Sequence, residues 1–174
     1  MFRSIENMKL KIHEDPGLLE KRLRSLQKLK RTRLKVGLPA KAGGRLQFIL
    51  AVQEHGSPLL RIPPRPVIAP ALSRPETRER MARSLREAVR AAWQGNDPAA
   101  RAALEEAGQT GADGIRAYID SHIPPPNASV TVEGGWLYNR AAKKAVHVEG
   151  KGFDKPLYDT GELYHAFDYE IEEN

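Results

Sequence analysis

The sequence predicts an α+β fold in which several helices cover a small, mostly antiparallel sheet, with a proline-rich strap between two of the helices. Three observations support this prediction. A period of two in apolar and polar residues, typical of half-buried strands, is found in segments 5–13, 33–38 and 165–172. Apolar residues at helical spacing are found in segments 16–31, 45–55, 75–93 and 98–122. The strap, 57–72, contains five prolines, which disfavour both a regular helix and a central strand.

The length and composition fit a single domain over residues 1–174, since 174 residues can bury one core. The chain has no cysteine, which excludes disulfides and thiolate chemistry. The first residues carry charges and no apolar core typical of a signal peptide, so we expect synthesis in the cytoplasm of a host cell. No apolar stretch approaches the roughly 20 residues of a membrane helix, so we expect no membrane association.

The first helix is predicted to begin at Asp15 as N-cap, with Pro16 in the first helical position. A leucine-rich face follows, and the opposite face is basic. The strand 33–38 ends at Pro39, and the helix 45–55 ends at Gly56, a natural C-terminal stop.

The second half begins with a capping-box pattern at Ser73, ahead of the helix 75–93. In the helix 98–122, three glycines at 108, 111 and 114 predict an interrupted turn, and the prolines at 124–126 end the helix. Residues 130–132 suggest a short strand. The glycine-rich and basic segment 133–156 is predicted to be a long loop, followed by the final strand.

The two ends of the chain carry opposite charge. Residues 1–45 hold 13 Lys and Arg against 4 Asp and Glu, a net charge of +9. Residues 153–174 hold 7 Asp and Glu against one Lys, a net charge of −6. This pattern predicts that the basic strands pair with the acidic final strand, within one chain or between neighbours, bringing Lys9, Lys11 and Lys35 near Asp168, Glu170 and Glu172. A basic segment also fits a nucleic-acid-binding module, which stays open as an alternative.

The sequence contains no recognisable catalytic or metal-binding constellation. Its five histidines show no i, i+3 or i+4 pair, and there is no cysteine to complete a zinc site. No serine lies in a nucleophile-elbow motif. The acidic residues 154–168 do not have the spacing of a calcium loop, which favours a solvated acidic end. We therefore expect no enzymatic activity, no metal and no cofactor.

The strap and one tryptophan are the best candidates for an assembly surface. A stiff segment loses little entropy when it docks, so the strap suits an interface with Arg65 as its anchor. Trp136 lies in the predicted loop and is a candidate anchor, whereas Trp93 is expected in the core. The candidate interface residues are Glu54, His55, Pro63, Pro64, Arg65, Pro66, Trp136, Asp159, Thr160 and Gly161.

Two stretches resemble a family of small tail-completion and neck proteins of tailed bacteriophages. Segments 52–58 and 62–72 resemble the signature E-F-G-T … P-x-R-P-F-L-R-P-A, although His55 replaces the aromatic residue and Val67 replaces phenylalanine. Segments 123–131 and 151–163 are similar to the ending P-P-N-A-x-x-T … K-G-x-x-x-P-L-I-D-T-G-x-L, with Tyr158 in place of isoleucine.

The resemblance implies a structural protein rather than an enzyme. It implies a virion protein that forms a homo-oligomeric ring at the neck and contacts neighbouring neck and tail proteins, completing the tail or joining it to the head. Contact with DNA is compatible with this role but is not required.

Overall fold

The computed structural model describes residues 16–59, 62–139 and 143–173. Its helices are α1 (Pro16–Arg31), a 3-10 turn (Ala40–Ala42), α2 (Gly44–His55), α3 (Ile68–Ser73), α4 (Pro75–Trp93), α5 (Asp97–Asp120), α6 (Ser129–Glu133) and α7 (Glu162–Ala166). Its strands are β1 (Thr32–Gly37), β2 (Gly135–Asn139), β3 (Lys144–Val148) and β4 (Asp168–Glu173). The predicted α+β class is confirmed. The predicted strand 5–13 and the N-cap Asp15 lie outside the described residues.

Strands β1 and β4 form an antiparallel pair that joins the basic and acidic parts of one chain. The register sets Lys35 opposite Glu170 and Val36 opposite Tyr169. The Lys35 ammonium lies 2.6 Å from Glu172 on the diagonal position. The pairing predicted between 33–38 and 165–172 is therefore confirmed for the described residues, and it occurs within the molecule. The final strand begins at Asp168, because residues 162–166 form α7.

Helix α5 is continuous through Gly108, Gly111 and Gly114, so the predicted interruption is wrong. These glycines lie where other elements approach the helix backbone. A Cβ at Gly108 would lie 2.4 Å from the ring of Tyr169, and a Cβ at Gly111 would lie 2.9 Å from Val36. The weak helix propensity of glycine is offset here by the close packing of α5 against the β1–β4 sheet.

The main core lies where α2, α3, α5 and α7 meet beside the sheet. Phe167, Ile115, Ile119 and Val67 are fully buried there. The α4–α5 contact is instead a seam of small residues, with Ala88 against Ala103 and Ala92 against Ala100, covered by Leu29 of α1. Trp93 was expected in the core but is half exposed. The Arg22 guanidinium lies over its ring, 5.5 Å from the ring centre.

Three local predictions in the strap and the second half are wrong. Residues 68–73 form α3 although Pro70 lies among them, because the first turn of a helix has no intrahelical N–H bond for proline to break. Residues 129–133 form α6 rather than a strand. Within the predicted loop 133–156, β2 and β3 pair antiparallel as a hairpin.

Candidate assembly interface

The strap is folded against the body of the protein by Glu54 and Arg65. One carboxylate oxygen of Glu54 accepts hydrogen bonds from the backbone N–H groups of Val67 and Ile68, at 2.8 and 3.0 Å. The carboxylate thereby satisfies two N–H groups at the start of α3 that have no partner inside the helix. Glu54, which belongs to α2, therefore caps the N-terminus of α3. This cap explains why α3 can begin directly after a proline-rich segment.

Arg65 is buried and is not the exposed anchor that the sequence suggested. Only 7% of the surface of this residue is exposed. The guanidinium donates from Nε to the carbonyl of Pro125 and from Nη2 to the carbonyl of Pro126, both at 2.8 Å. Burial lowers the pKa of this guanidinium. The expectation of an interface anchor is corrected: Arg65 faces inward because two backbone carbonyls of its own chain need a donor.

The other candidate interface residues at the end of α2 and in the strap are accessible to solvent. His55, Pro63, Pro64 and Pro66 are exposed. An added Cβ at Gly56 would lie 2.8 Å from the Pro64 nitrogen, so the chain turns tightly onto itself between α2 and the strap. The prolines on either side of the buried Arg65 are therefore exposed while Arg65 itself is not.

The segment 123–131 is tied to the segment 151–163 by a second set of polar contacts. One carboxylate oxygen of Asp154 accepts from the backbone and side-chain nitrogens of Asn127, at 3.0 and 2.8 Å. The Lys151 ammonium donates to the carbonyls of Lys155 and Tyr158, each at 2.7 Å. Burial lowers the pKa of Lys151, and the negative charges of Asp159 and Asp154 partly counter this effect.

A third set of contacts joins the end of α5 to the segment before β4. Asp120 accepts from the Tyr164 hydroxyl at 2.8 Å and pairs with the Lys155 ammonium at 2.6 Å. The hydrogen bond from Lys155 lowers the pKa of Asp120, and the hydrogen bond to Asp120 raises the pKa of Tyr164. The Lys155 ammonium also lies over the rings of Tyr158 and Tyr164, at 4.3 and 5.1 Å.

The three residues 159–161 lie beside this set of contacts. Asp159 and Thr160 are exposed, and the Thr160 hydroxyl accepts from the N–H of Glu162 at 3.3 Å. Gly161 is buried with φ of 84°, a backbone conformation that glycine adopts without a steric penalty. Together they form the turn that leads into α7.

The hairpin 135–148 rises from this network. At its base, the N–H groups of Lys151 and Gly152 donate to the carbonyls of Thr131 and Val132, at 3.0 and 2.9 Å. A Cβ on Gly150 would lie 2.3 Å from the backbone of Glu133 and Gly134. These two segments of the chain are therefore in direct backbone contact, which fixes the root of the hairpin.

Both faces of the hairpin are exposed. Trp136 has 71% of its surface exposed and Tyr138 has 65%. Because residues two apart in a strand point to the same side, the two aromatic side chains share one face of the hairpin. The Trp136 ring meets the ring of its cross-strand partner His147 edge-on at 5.3 Å. Leu137 and Val146, which are paired on the other face, are also exposed. We call the surface made by Trp136 and Tyr138 the aromatic face.

The sequence therefore identified Trp136 but missed the hairpin that presents it. Tyr138, Leu137 and Val146 were not singled out, although residues 135–139 and 144–148 are rich in the aromatic and β-branched residues of strands. Lys151 and Asp154 were also missed. Within the described residues, no group of three or more acidic or histidine side chains is placed to hold a metal ion.

No helix in the part of the chain that the structure describes is long and apolar enough to span a bilayer. Comparison of the chain with protein-family models, with curated protein sequences and with solved structures finds no match.

Proposed function

We propose that the chain is a non-catalytic structural protein of a tailed bacteriophage virion. It is made in the host cytoplasm and assembles as a ring at the neck, where it completes the tail or joins the tail to the head. The observation that carries this proposal is the hairpin 135–148, which exposes apolar and aromatic side chains on both faces while its root is fixed by polar contacts.

The residues of the phage-like motifs support the same proposal through their positions. Arg65 of the first stretch bonds the carbonyls of Pro125 and Pro126 in the second, and Asn127 and Asp154 join the two segments of that second stretch. Segments far apart in sequence thus form one scaffold at the root of the hairpin. A motif that builds a rigid support fits a structural protein, in which the geometry of a protruding arm must be held constant.

The exposed hairpin itself is the feature that calls for a partner. An isolated two-stranded hairpin is marginally stable in water, and a third strand or a packed face is needed to stabilise it. The edge strand β2 has the sequence Gly-Trp-Leu-Tyr-Asn, without the lysine, proline or bulge that usually protects an exposed edge. Burial of its aromatic face against another protein supplies the missing stabilisation.

Deletion of the encoding gene from the phage or prophage that carries it tests the proposed function. We expect induction to yield filled heads and separate tails in electron micrographs, and joined particles to return when the gene is supplied in trans. A control strain carries a synonymous recoding of the same gene. Normal infectious particles from the deletion strain, or a genome without capsid and portal genes nearby, would overturn the proposal.

A basic nucleic-acid-binding module is the second candidate, favoured by helix α4. Within the described residues, Arg78, Arg80, Arg83 and Arg86 are exposed and make no ion pair. Binding to duplex DNA that weakens steeply between about 50 and 200 mM salt would favour this candidate. Loss of that binding in a variant with these four arginines changed to glutamine would assign it to α4.

A further inference from the structure

We propose that the surface between α1 and α4 binds an acidic amphipathic helix of another protein. Large apolar side chains line this surface, and basic side chains border it. We call it the α1–α4 groove, and its lining residues are Leu19, Leu23 and Leu26 of α1 and Leu85, Val89 and Trp93 of α4. The neck role does not use this surface, so the two proposals are tested independently.

The lining residues form one stripe on each helix, because they recur at intervals of three and four residues. The two helices are in direct contact. Leu26 packs against the small-residue cluster that contains Ala92, and the Arg22 guanidinium lies over the Trp93 ring. Leu29, further along α1, packs against the cluster that contains Ala88, which lies earlier in α4. The helices are therefore antiparallel neighbours, and their stripes run side by side.

The stripes are accessible but do not project from the surface. Leu19, Leu23, Leu85, Val89 and Trp93 are each between 38 and 54% exposed. A contiguous apolar surface with a polar border marks an interaction site. A face that binds a membrane must enter the lipid by about 5–10 Å, which half-covered side chains do not do. A helix laid between two helices needs only their facing sides, so the geometry favours a helical protein segment.

The charge of the border determines the chemistry of the occupant. Helices α1 and α4 together contain eleven basic and four acidic residues. Of the four acidic residues, Glu20 and Glu87 already pair with Arg24 and Arg90 of their own helices. The two helices therefore keep a clear excess of positive charge.

Three basic side chains lie closest to the groove. Lys30 and Arg78 continue the stripes of α1 and α4 at helical spacing, and they lie at the same end of the groove because the helices are antiparallel. Arg86 borders the α4 side, where Glu79 offsets one charge. All three cations are exposed, and within the described residues they make no ion pair. A partner that covers the groove therefore needs acidic residues beside its apolar ones.

The long helices that the structure describes in this chain do not meet this requirement. Helix α2 carries one arginine and one glutamate, so it has no excess of acidic residues. Helix α5 carries five acidic and two basic residues, but its apolar side is already buried in the core. Two copies that met groove to groove would place one basic border against another. The occupant is therefore a helix of another protein.

Titration with a synthetic helix tests the proposal. The probe is a peptide of about 15 residues, long enough to form a helix, with leucines at intervals of three and four residues and glutamates on the other side. One control peptide has lysines in place of the glutamates, and another has the acidic peptide's residues in scrambled order. The protein is full-length Trp136→Phe, in which Trp93 is the single tryptophan. We expect only the acidic helix to shift the Trp93 emission to shorter wavelength, with one peptide per chain, and added salt to weaken the binding.

Calorimetric titration of variants locates the binding on the groove. Val89→Asp should weaken binding of the acidic peptide by at least about tenfold, because it buries an unpaired charge among apolar side chains. Phe48→Asp, a matched change at an exposed residue of α2, should bind like the parent. Arg86→Glu should weaken the acidic peptide and strengthen the lysine peptide, each by roughly twofold to fivefold, as for an exposed ion pair. Circular dichroism checks the fold of each variant, and Val89→Ala takes the place of Val89→Asp if that variant is unfolded.

Equal binding of the acidic and lysine peptides, or binding that Val89→Asp and Phe48→Asp change alike, would overturn the proposal. An emission of Trp93 that is typical of a buried indole before any peptide is added would show that the chain fills its own groove. Sedimentation velocity then distinguishes residues 1–15, in a monomer, from a second copy, in a dimer. Displacement of the peptide by vesicles of anionic phospholipid or by duplex DNA would assign the groove to lipid or to nucleic acid instead.

Discussion

Replacement of Arg65 by methionine tests whether this residue holds the scaffold together. The change keeps an apolar stem of similar length and removes both hydrogen bonds to the carbonyls of Pro125 and Pro126. Hydrogen bonds that involve a charged group contribute about 1.5–3 kcal/mol each. Since desolvation of the guanidinium offsets part of this gain, we expect a loss of about 2–4 kcal/mol in the free energy of unfolding.

Urea denaturation followed by circular dichroism measures this loss. With a slope of about 2 kcal/mol per molar urea, the midpoint should fall by roughly 1–2 M. Arg65→Lys should fall in between, because one ammonium cannot reproduce the two-pronged geometry of a guanidinium. Arg78→Ala, a change at an exposed arginine on α4, is the matched control. A midpoint for Arg65→Met within error of the parent would refute the scaffold role.

Three further predictions concern the fold. Gly108→Ala should destabilise by about 1–3 kcal/mol despite its better helix propensity, because the new Cβ would lie 2.4 Å from a tyrosine ring on β4; Gly44→Ala, which meets no atom within 4 Å, should be neutral or stabilising in the same thermal melts. The pKa of Asp120 is lowered by a lysine ammonium, so its stabilisation is present above the unfolded pKa of about 3.9 and is lost as pH falls through the folded pKa. Asp120→Asn should flatten the stability profile there, and an unchanged slope would contradict this reasoning. Deletion of 167–174 removes the fully buried Phe167 and strand β4, so the product should be unfolded or aggregated by size-exclusion chromatography; a compact, heat-stable product would show that the sheet is dispensable.

The fold was predictable where local pattern and local chemistry agree. Helix α1 follows from its leucine spacing and from Pro16, and its observed bounds are those predicted. The pairing of β1 with β4 followed from alternation and opposite charge. Exposed ion pairs such as Lys41–Asp168 contribute little each, so charge helps select the partner while buried residues such as Phe167 provide most of the stability.

The errors arise where a distant residue decides the local structure. Helix α3 depends on the carboxylate of Glu54, which lies 14 residues before Ile68. Continuity of α5 through its glycines depends on Tyr169 and Val36, which belong to the sheet. The burial of Arg65 depends on carbonyls 60 residues away. Propensity within a short window carries no information about such partners.

The hairpin was missed for a different reason. The glycine content and basic charge of segment 133–156 led to the prediction of a loop, although the segment also contains strand-forming residues. The glycines at 134 and 150 belong to the root of the hairpin rather than to a flexible loop, because the backbone of each lies directly against that of the other. The strand-forming residues were therefore visible in the sequence. The contact between two glycines 16 residues apart could not be predicted from it.

The contact between Gly134 and Gly150 also marks a boundary between the hairpin and the rest of the domain. We expect the hairpin to be exchangeable at this boundary. An added Cβ at Gly134 would lie 2.8 Å from the backbone nitrogen of Gly150, and one at Gly150 would lie 2.3 Å from the backbone nitrogen of Gly134, so a side chain at either position would force the two segments apart. Trp136, Leu137, Tyr138 and Val146, which lie between these two glycines, are exposed. Because these exposed side chains are not part of the buried core, we expect that the two strands can be replaced by a different hairpin, a peptide epitope or a fluorophore site while the domain stays folded. The root of the hairpin is therefore a suitable position for grafting. A new hairpin placed there would change the binding specificity of the exposed surface, while the domain that carries it stays the same.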